Sequence, residues 1–470
     1  MLIGTEIEYA AASTSSYGPT FLSAGLVCAY LGLPLPDTEV DFTAAWSGPA
    51  DDLLLADGAP VAALVAGLSA GLPSAFLANG ARFYVDHAHP EYSTPECLDP
   101  ATAAACELAG DRIVTAAAEV LSEILTEESG APVSVQVFKS NSDGHSNSWG
   151  AHENYRLPRR LPWAVIRRVM LPFVVSRQMF CGAGKVGSEN GRPPVAFQLS
   201  QRADFFTQVE SLQTTYDRGI INTRDEPHDD PSRFRRLHLI CGDSNRAPYA
   251  LWLKLAATSL MLHALVDGHF DSALEDWPDL ADPTAAIWQV SHSFDVDSGF
   301  WRDTPLLLDS GSSATATELQ EFFITEVASW MERNPHPDWA PYALDEWSRT
   351  VFDLDTDPLS AADRVDWVAK LRTLLDSGID LASPRAKVVD HMYAQLGPGG
   401  VASAIEREGW FTYPETFVSS DVVNRITTPP PGRPLSRAAL ISAVRPDSLP
   451  RSVDWAEFVT AEGTLQAFPH

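Results

Sequence analysis

The stretch FLANGARFYVDHAHPEYSTPE, residues 76–96, places two histidines, one aspartate, two tyrosines and two glutamates around one short predicted strand. Successive side chains of a strand point to opposite faces, so Phe83 and Val85 face the core while Arg82, Tyr84 and Asp86 share the other face. This pattern predicts a sheet with one packed face and one face that carries reactive side chains.

Three further segments show the same alternation. Glu6 and Glu8 share one face of a strand over residues 2–9, roughly 7 Å apart, and a divalent cation would relieve their repulsion. Taken alone, a solvated strand face explains them equally well. The other two sets are Gln198, Ser200 and Arg202 in residues 197–202, and Arg236 and His238 in residues 236–239. Carboxylates bind Mg²⁺ and arginines bind phosphate, so the four sets together predict one metal–phosphate site.

Several candidate ligands fall outside these predicted strands. His87 and His89 flank Asp86 and could cap the strand or bind metal. Glu91 follows a proline, and we expect a loop to turn it back to the metal face. His152 lies in WGAHENY, also a predicted loop. Arg224 stands among four acids in NTRDEPHDDP, which suggests that it reaches an anion elsewhere.

Composition limits the class of protein. The chain has 470 residues, is 45% hydrophobic and carries a formal charge of −29, which disfavours nucleic acid and anionic membrane partners. The most apolar windows are interrupted and shorter than a bilayer span. Five cysteines without a CxxC motif, and an acidic start without the pattern of a signal peptide, predict a cytoplasmic protein with reduced thiols.

The order of predicted elements favours an α+β fold with a mainly antiparallel sheet. Expected strands cover residues 2–9, 81–86, 134–140, 195–202 and 236–243. Expected helices cover residues 20–31, 61–68, 100–126, 162–177, 248–267, 314–333, 357–375 and 384–396, with a long surface loop over 34–60. Glycine-rich phosphate loops of the GxxxxGK[ST] or GxGxxG type are missing from the sequence, so a nucleotide would need another binding device.

The motifs GTEIEY, FLANGARFYVDHAHPEYSTPE, FKSNSDGHSNSWGAHENY, FQLSQRADFF, IINTRDEPHDDPSRFRRLHLICGD, DWVAKL and PPPGRPLSRAAL run from residue 4 to about 440. Together they resemble the Pup ligase/depupylase family, carboxylate–amine ligases related to glutamine synthetase. The motif YVDHAHPEY resembles the depupylase/deamidase (Dop) branch most. The segment 34–75 is shorter and richer in Ala, Leu and Gly than in that branch, and Ala10, Ser140 and Ser142 also depart from the family pattern.

The resemblance implies a catalytic domain over residues 1–398, with a curved antiparallel sheet that cradles ATP (or ADP) and Mg²⁺, and a small C-terminal domain over 399–470. Asp86 would be the catalytic residue. By matching motif, the metal ligands would be Glu6, Glu8, Tyr84, Glu91, His152 and His238, and the nucleotide would contact Arg202, Arg224 and Glu8.

The resemblance also implies the reaction. A depupylase-like enzyme hydrolyses the isopeptide bond to an acidic protein modifier, or the side-chain amide of the modifier's C-terminal glutamine. Asp86 would attack the amide carbonyl or activate water, and the sequence leaves both open. The alternative is an ATP-dependent ligase that forms an amide through an acyl-phosphate on a modifier or on a small carboxylate. A third hypothesis is a nucleotide-sensing protein without catalysis.

Overall fold

The computed structural model describes residues 1–36, 53–56, 63–66, 72–295, 300–301 and 304–469. Strands and helices alternate irregularly along the chain, which gives the predicted α+β class. The strands are β1 (Ile3–Glu8), β2 (Ala10–Ser13), β3 (Leu54–Ala56), β4 (Ala63–Ala66), β5 (Ser74–Leu77), β6 (Arg82–Asp86), β7 (His89–Ser93), β8 (Val135–Phe138), β9 (Ala151–Pro158), β10 (Lys185–Val186), β11 (Phe197–Gln198), β12 (Phe206–Ser211), β13 (Arg218–Asn222), β14 (Phe234–Leu239), β15 (Phe294–Asp295), β16 (Phe300–Trp301), β17 (Leu306–Leu307), β18 (Ser313–Ala314), β19 (Ser452–Val453), β20 (Glu457–Val459) and β21 (Leu465–Ala467).

The helices pack mainly against one side of the largest sheet and around one another. They are α1 (Pro19–Leu31), α2 (Pro100–Ser129), α3 (Trp163–Ser176), α4 (Gln178–Cys181), α5 (Pro248–Val266), α6 (Pro283–Ser291), α7 (Ala316–Met331), α8 (Ala340–Thr356), α9 (Asp366–Asp376), α10 (Pro384–Ala394), α11 (Val401–Arg407), α12 (Ser419–Arg425) and α13 (Arg433–Ala443).

Ten strands form the main sheet, in the order β12-β13-β14-β9-β1-β7-β6-β5-β4-β3. Every neighbouring pair is antiparallel except β12 with β13. The prediction of a mainly antiparallel sheet is therefore confirmed. β1 lies near the middle, between β7 and β9, so its alternating side chains have sheet neighbours on both sides.

Helix α2 covers the apolar face of this sheet. It begins where the sequence predicts, because the Asp99 side chain accepts the Thr102 N–H at 2.8 Å and Pro100 stands at the first turn. Gly110 lets the helix approach β7 closely, since a Cβ atom there would lie 2.3 Å from the Tyr92 ring. Together α1, α2 and the inward side chains of β1 and β6, including Ile7 and Phe83, form one continuous core.

A second core surrounds α5. This helix is long and apolar enough to cross a bilayer by length and composition, yet 89% of the apolar window is buried inside the protein. Its side chains pack against α2, α7 and α8. This degree of burial is typical of a central helix of the core. Length and composition alone are weak evidence for a membrane span.

The C-terminal segment, residues 433–469, covers one end of the polar sheet face. Its apolar side chains Ile441, Val444 and Phe468 form a small core with Leu64 of β4 and Phe76 of β5. Arg437, which is fully buried, makes an ion pair with Glu96 and donates to the Gly80 carbonyl at 3.0 Å. This segment is therefore fastened to the sheet by both apolar contacts and buried charges.

Some sequence predictions are wrong. In the range 61–68, predicted to be a helix, the described residues Ala63–Ala66 form β4 and pair with β5. The predicted loop 34–60 includes strand β3, and its residues 37–52 and 57–60 lie outside the described residues. The predicted strand 195–202 shrinks to Phe197–Gln198, which among the described residues pairs with β10 alone. The predicted helix 357–375 is a short 3-10 turn followed by α9.

Candidate active site

Strand register brings five of the predicted site residues onto one face of the main sheet. On β1, Glu6 lies opposite His152 of β9, and Glu8 lies opposite Glu91 of β7. Glu91 also lies opposite Tyr84 of β6. Directly paired residues point to the same face, so these side chains converge. These side chains form a polar sheet face toward solvent, while α2 packs against the opposite, apolar face.

The first group on this face is Glu6, His152 and His238, which we call the inner cluster. Each offers one ligand atom, and these atoms lie within 4.8 Å of one another. Glu6 Oε2 is 3.3 Å from His152 Nδ1 and 3.8 Å from His238 Nε2, and Glu6 Oε1 is 3.5 Å from the Arg236 guanidinium. Burial alone would raise the pKa of Glu6, but Arg236 and the two histidines hold it well below its ordinary value.

His238 shows that the inner cluster is arranged for a ligand. Its side chain is buried, and neither ring nitrogen makes a hydrogen bond within the described residues. Burial, together with the charges of Arg236 and His152, lowers its pKa well below the ordinary value. The ring is therefore neutral at pH 7 and keeps a lone pair free. A buried polar group without a partner is costly, and a bound cation would remove that cost.

The second group is Glu8, Asp86 and Glu91, which we call the outer cluster. Its ligand oxygens also lie within 4.8 Å of one another. Burial raises the pKa of Glu91 far above its ordinary value, and the negative charges of Asp86, Glu8 and Glu6 act in the same direction. The Tyr84 hydroxyl donates to Glu91 Oε1 at 2.5 Å, and the Gly150 N–H donates to Glu8 Oε2 at 2.6 Å.

Asp86 ends β6 at a sharp turn. The turn residues His87 and Ala88 connect Asp86 to its pairing partner His89, and His87 has a positive φ of 53°, which is uncommon outside glycine. This conformation places His87 Nδ1 3.1 Å from Asp86 Oδ1. The contact raises the pKa of His87 to about 8. Burial alone would raise the pKa of Asp86, but His87 and His152 hold it below the ordinary value, so the carboxylate is ionised at pH 7.

The two predicted nucleotide-binding arginines occupy different environments. Arg202 is 1% exposed and donates to the Ile240 carbonyl, while its Nε has no partner in the described chain. Burial and the neighbouring charge of Arg218 lower its pKa to about 10. Arg224 is exposed, but its charge lowers the pKa of both His87 and His238. Arg224 therefore lies within electrostatic range of both clusters.

A cavity of about 100 Å³ adjoins the inner cluster on the side away from Asp86. It lies between the start of β1, the loop at residues 226–228 and the C-terminal segment. Its walls include Leu2, Ile3, Glu6, Thr94, Glu96, Asn154, His228, Arg236, Arg433 and Trp455. The lining combines an aromatic ring, Trp455, with charged groups, which suits a ligand that carries both a flat base and charge.

The structure corrects how several predicted residues reach the site. Glu91 and His152 lie on strands β7 and β9, whereas the sequence predicts loops for both. Gln198 and Ser200 lie away from the polar face, where they hydrogen-bond to Asp204 and Asp243 respectively. Arg202 does not share a sheet face with them, since β11 ends at Gln198.

Sequence reasoning missed Arg218, Trp149 and Trp455 as parts of this region. Arg218 begins β13 on the same side as Asn222, which lies opposite His238. Arg218, Ile220 and Asn222 stand two residues apart, so they share one strand face, and this spacing is a weak sequence signal that Arg218 lies on the polar face. Trp455 reaches the cavity from the C-terminal segment, and local sequence carries no signal for a contact so distant along the chain.

The donor sets fit divalent cations differently. Mg²⁺ takes oxygen ligands and is commonly held by one or two carboxylates together with substrate phosphates. The outer cluster offers three carboxylates, and a cation there would allow Glu91 to ionise. The inner cluster offers one carboxylate and two imidazoles, and it fits Mg²⁺ where phosphate oxygens complete the coordination.

Comparisons with known proteins show the family and the fold. Residues 1–459 match the family model described as Pup-ligase protein. The chain is 38% identical over 410 residues to a Pup deamidase/depupylase of Mycolicibacterium smegmatis, covering 84% of this chain and 78% of that protein. It is 36% identical over 439 residues to a Pup–protein ligase of Kocuria rhizophila, covering 89% and 90%.

Two solved structures share the fold. The complex between the ubiquitin-like protein Pup and its ligase PafA gives a TM-score of 0.78 at 26% identity, covering all of this chain and 88% of that chain. The ligase PafA in complex with ADP gives a TM-score of 0.73 at 31% identity, covering 84% and 86%.

Proposed function

We propose, from the premise that the chain belongs to the Pup-ligase protein family, that it is an ATP- and Mg²⁺-dependent amidohydrolase acting on a protein modifier. Members of this family are enzymes that form or cleave amide and isopeptide bonds. The proposed substrates are the isopeptide bond between modifier and target, and the side-chain amide of a C-terminal glutamine on the free modifier.

The observation that carries this proposal is the position of Asp86 on the polar face. An ionised carboxylate stands beside Glu8 and Glu91, at the end of a strand, where the sheet opens to solvent. A carboxylate with a lowered pKa is available as a nucleophile or as a base. The 38% identity to a Pup deamidase/depupylase supports hydrolysis as the reaction.

The nucleotide has a place on the other side of the inner cluster. Nucleotide binding is supported by the related ligase whose structure holds ADP. The cavity beside Glu6 has the Trp455 ring among its walls, and an aromatic ring of this kind suits the flat face of a purine base. Arg236 lines the cavity and lies 3.5 Å from Glu6, so it carries positive charge toward the inner cluster. We therefore place the base in the cavity and the phosphates over Glu6, His152 and His238.

Divalent cations would be held by the two clusters, with Glu6, His152 and His238 at one and Glu8 and Glu91 at the other. When bound, such a cation supplies positive charge that stabilises negative charge developing on phosphate or carbonyl oxygens. Tyr84 positions the Glu91 carboxylate through its hydroxyl, and the Gly150 N–H positions Glu8.

The side chains near Asp86 determine what it can do. In one route an Asp86 oxygen attacks the carbonyl carbon of the side-chain amide, the amine leaves after protonation, and water then hydrolyses the acyl–aspartate. In the other route Asp86 removes a proton from water, which attacks the same carbon, and the C–N bond then breaks as this proton passes to the leaving amine. In both routes His87, 3.1 Å away, orients the carboxylate and keeps it ionised. The geometry is compatible with either route.

The proposed partner is an acidic modifier of the Pup type or its conjugates, consistent with the PafA–Pup complex of the related ligase. A small carboxylate substrate is the alternative that the unusual segment 34–75 leaves open. All five cysteines are free and buried, which supports the proposed cytoplasmic location.

The test is mass spectrometry of a Pup-type modifier ending in glutamine, incubated with the protein, ATP and Mg²⁺. We expect conversion of the terminal amide to the acid, and conversion slowed at least about 100-fold in the Asp86→Asn variant. An unchanged modifier mass, with wild-type protein that binds nucleotide, would contradict the proposal.

The second candidate is ligation, supported by 36% identity over most of the chain to a Pup–protein ligase and by the two PafA structures. A ligase would convert ATP stoichiometrically to ADP while it joins a modifier ending in glutamate to an amine. Incubation with free modifier, a lysine-containing acceptor and ATP separates the two, because a hydrolase produces no conjugate and little ADP.

A further inference from the structure

Arg218 is a buried cation on the polar face to which the reaction above assigns no role. It is 8% exposed and begins β13. Its Nε donates to the Thr214 carbonyl at 2.7 Å and its Nη2 to the Ser148 carbonyl at 2.6 Å. Throughout the described part of the chain no carboxylate lies within 4.0 Å of this guanidinium. Buried arginines are normally paired with an anion; here the Glu8 carboxylate acts on the guanidinium only from beyond this distance, so Arg218 lacks a direct anionic contact.

The segment Ser148–Gly150 connects Arg218 to the outer cluster. The carbonyl of Ser148 accepts from Arg218, and two residues later the Gly150 N–H donates to Glu8 at 2.6 Å. Between them, the Trp149 ring stacks on His89, with centroids 4.9 Å apart. Because His89 lies opposite Asp86 in the β6–β7 hairpin, a single short segment links Arg218 to the surroundings of the proposed catalytic carboxylate.

Two more donors on this segment lack acceptors. The Ser148 hydroxyl and the Trp149 indole N–H are buried and make no hydrogen bond within the described residues. The Nε of Arg202 is also buried without a partner, and the charge of Arg218 contributes to the lowered pKa of Arg202. Two buried guanidiniums that repel each other, with unused donors beside them, form an environment that an anion would stabilise.

We propose that Arg218, with Ser148 and Trp149, binds the free main-chain carboxylate of the substrate's last residue. The inference rests on the proposed function, because it takes the substrate's side-chain amide to lie at Asp86. In a C-terminal glutamine the main-chain carboxylate is part of the same residue as that amide, so both groups must be accommodated close together. A glutamine inside a chain has no such carboxylate and would leave Arg218 without a partner.

The subsite would therefore select chain ends. A site built to bind a charged group rejects an analogue that lacks it, because its own buried charge is left unpaired. A charge-assisted hydrogen bond contributes enough for a preference of about 10- to 100-fold. The nucleotide's terminal phosphate is the other anion that could occupy this position, and the experiment separates the two.

The experiment compares two fluorescent acidic peptides that end in glutamine, one with a free main-chain carboxylate and one with a carboxamide end. We expect wild-type protein with ATP and Mg²⁺ to deamidate the first with a kcat/KM about 10- to 100-fold higher. In Arg218→Met this preference should fall to nearly one. Arg218→Lys, which keeps a charge, should retain part of it, and Trp149→Phe should lose a smaller part. Circular dichroism verifies that each variant folds.

The matched control is Arg235→Met. Arg235 lies on β14 of the same sheet, also donates to a carbonyl and pairs with Leu157 on the opposite face from His238. It should keep the full preference. The affinity of a fluorescent ADP analogue should be the same in wild type and Arg218→Met.

Two results would overturn the inference. One is an Arg218→Met variant that folds and keeps the carboxylate preference. The other is a variant that weakens ADP binding and affects both peptides equally, which would assign Arg218 to phosphate. If wild-type protein cleaved neither peptide, the proposed function would fail instead, and fluorescence anisotropy would still show whether Arg218 gives tighter binding of the carboxylate peptide.

Discussion

The inner and outer clusters share one sheet face but differ in charge and closure. The inner cluster has one carboxylate, Glu6, among Arg236 and two imidazoles, and it continues into a cavity closed by the C-terminal segment. The outer cluster has three carboxylates and ends at the exposed His87. The pKa of Glu6 is lowered and that of Glu91 is raised. Arg236 and the histidines thus offset the charge of Glu6, although His238 lacks a hydrogen-bond partner within the described residues, whereas the charge of the outer cluster requires a cation or a proton.

The largest effect should come from Asp86→Asn. Because the substitution removes the carboxylate that we propose to be reactive, we expect deamidation to fall about 10²- to 10⁴-fold. Affinity for a fluorescent ADP analogue should hardly change, since the proposed nucleotide cavity adjoins the inner cluster and not Asp86. Equal losses of catalysis and nucleotide affinity would show that the two clusters do not divide these tasks.

The closure of the inner side depends on Glu96. This carboxylate makes ion pairs with Arg437 and Arg433, at 3.3 Å for Arg433 Nε, and so fastens the C-terminal segment over the cavity. Removing one partner of a buried pair is strongly destabilising, so Glu96→Gln should lower the free energy of unfolding by about 3 kcal/mol. It should also weaken ADP binding. Urea denaturation measures the first effect, with exposed Glu457→Gln of the same segment as control.

The same contact predicts a pH dependence. Burial alone would raise the pKa of Glu96, but Arg437 and Arg433 hold it below the ordinary value of 4.5. The ion pair therefore contributes stability that is fully present above pH 4.5 and is lost as pH falls through the lower folded-state pKa. The stability difference between wild type and Glu96→Gln should shrink over this range. A constant difference down to pH 3 would contradict the assignment.

A smaller effect is expected when one carboxylate of each cluster is replaced and the free energy of unfolding is measured in Mg²⁺-free buffer with EDTA at neutral pH. Glu6→Gln loses the attraction of Arg236 and should cost about 1 kcal/mol of stability. Glu91→Gln replaces a carboxylate whose ionised form is unfavourable, and should raise stability by about 1 kcal/mol. Denaturation curves of both variants, with exposed Glu119→Gln as control, measure the difference. The same sign for both would contradict the contrast between the clusters.

Strand alternation was sufficient to find the residues on β1, β6 and β14. In these segments apolar and polar side chains alternate, because one face packs on helices and the other faces the site, as with Phe83 and Asp86. Glu91 and His152 were also predicted as metal ligands, but Pro90 and the glycine-rich residues before β9 favoured loops over strands at these two positions. Pairing with β1 supplies the hydrogen bonds that make both segments strands.

The wrong predictions have a common physical cause. β4 is buried on both sides, with Leu64 in the C-terminal core and Val65 in the core of α1 and α2, so it lacks the alternation that identifies a strand. Residues 197–202 alternate in sequence, but Gln198 and Ser200 hydrogen-bond to buried Asp204 and Asp243 instead of a sheet partner. Contacts far apart in sequence decide both cases.

The central position of β1 has a consequence for synthesis on the ribosome. β1 leaves the ribosome early, but its neighbour β9 follows only at residues 151–158, and the cavity wall at Arg433 and Trp455 is translated much later. Such long-range pairings form slowly, since large loops must close first. A nascent chain would therefore carry the carboxylates of β1 before the cavity beside them is complete. A chain that ends before Trp455 would have the carboxylates of β1 without this wall of the cavity.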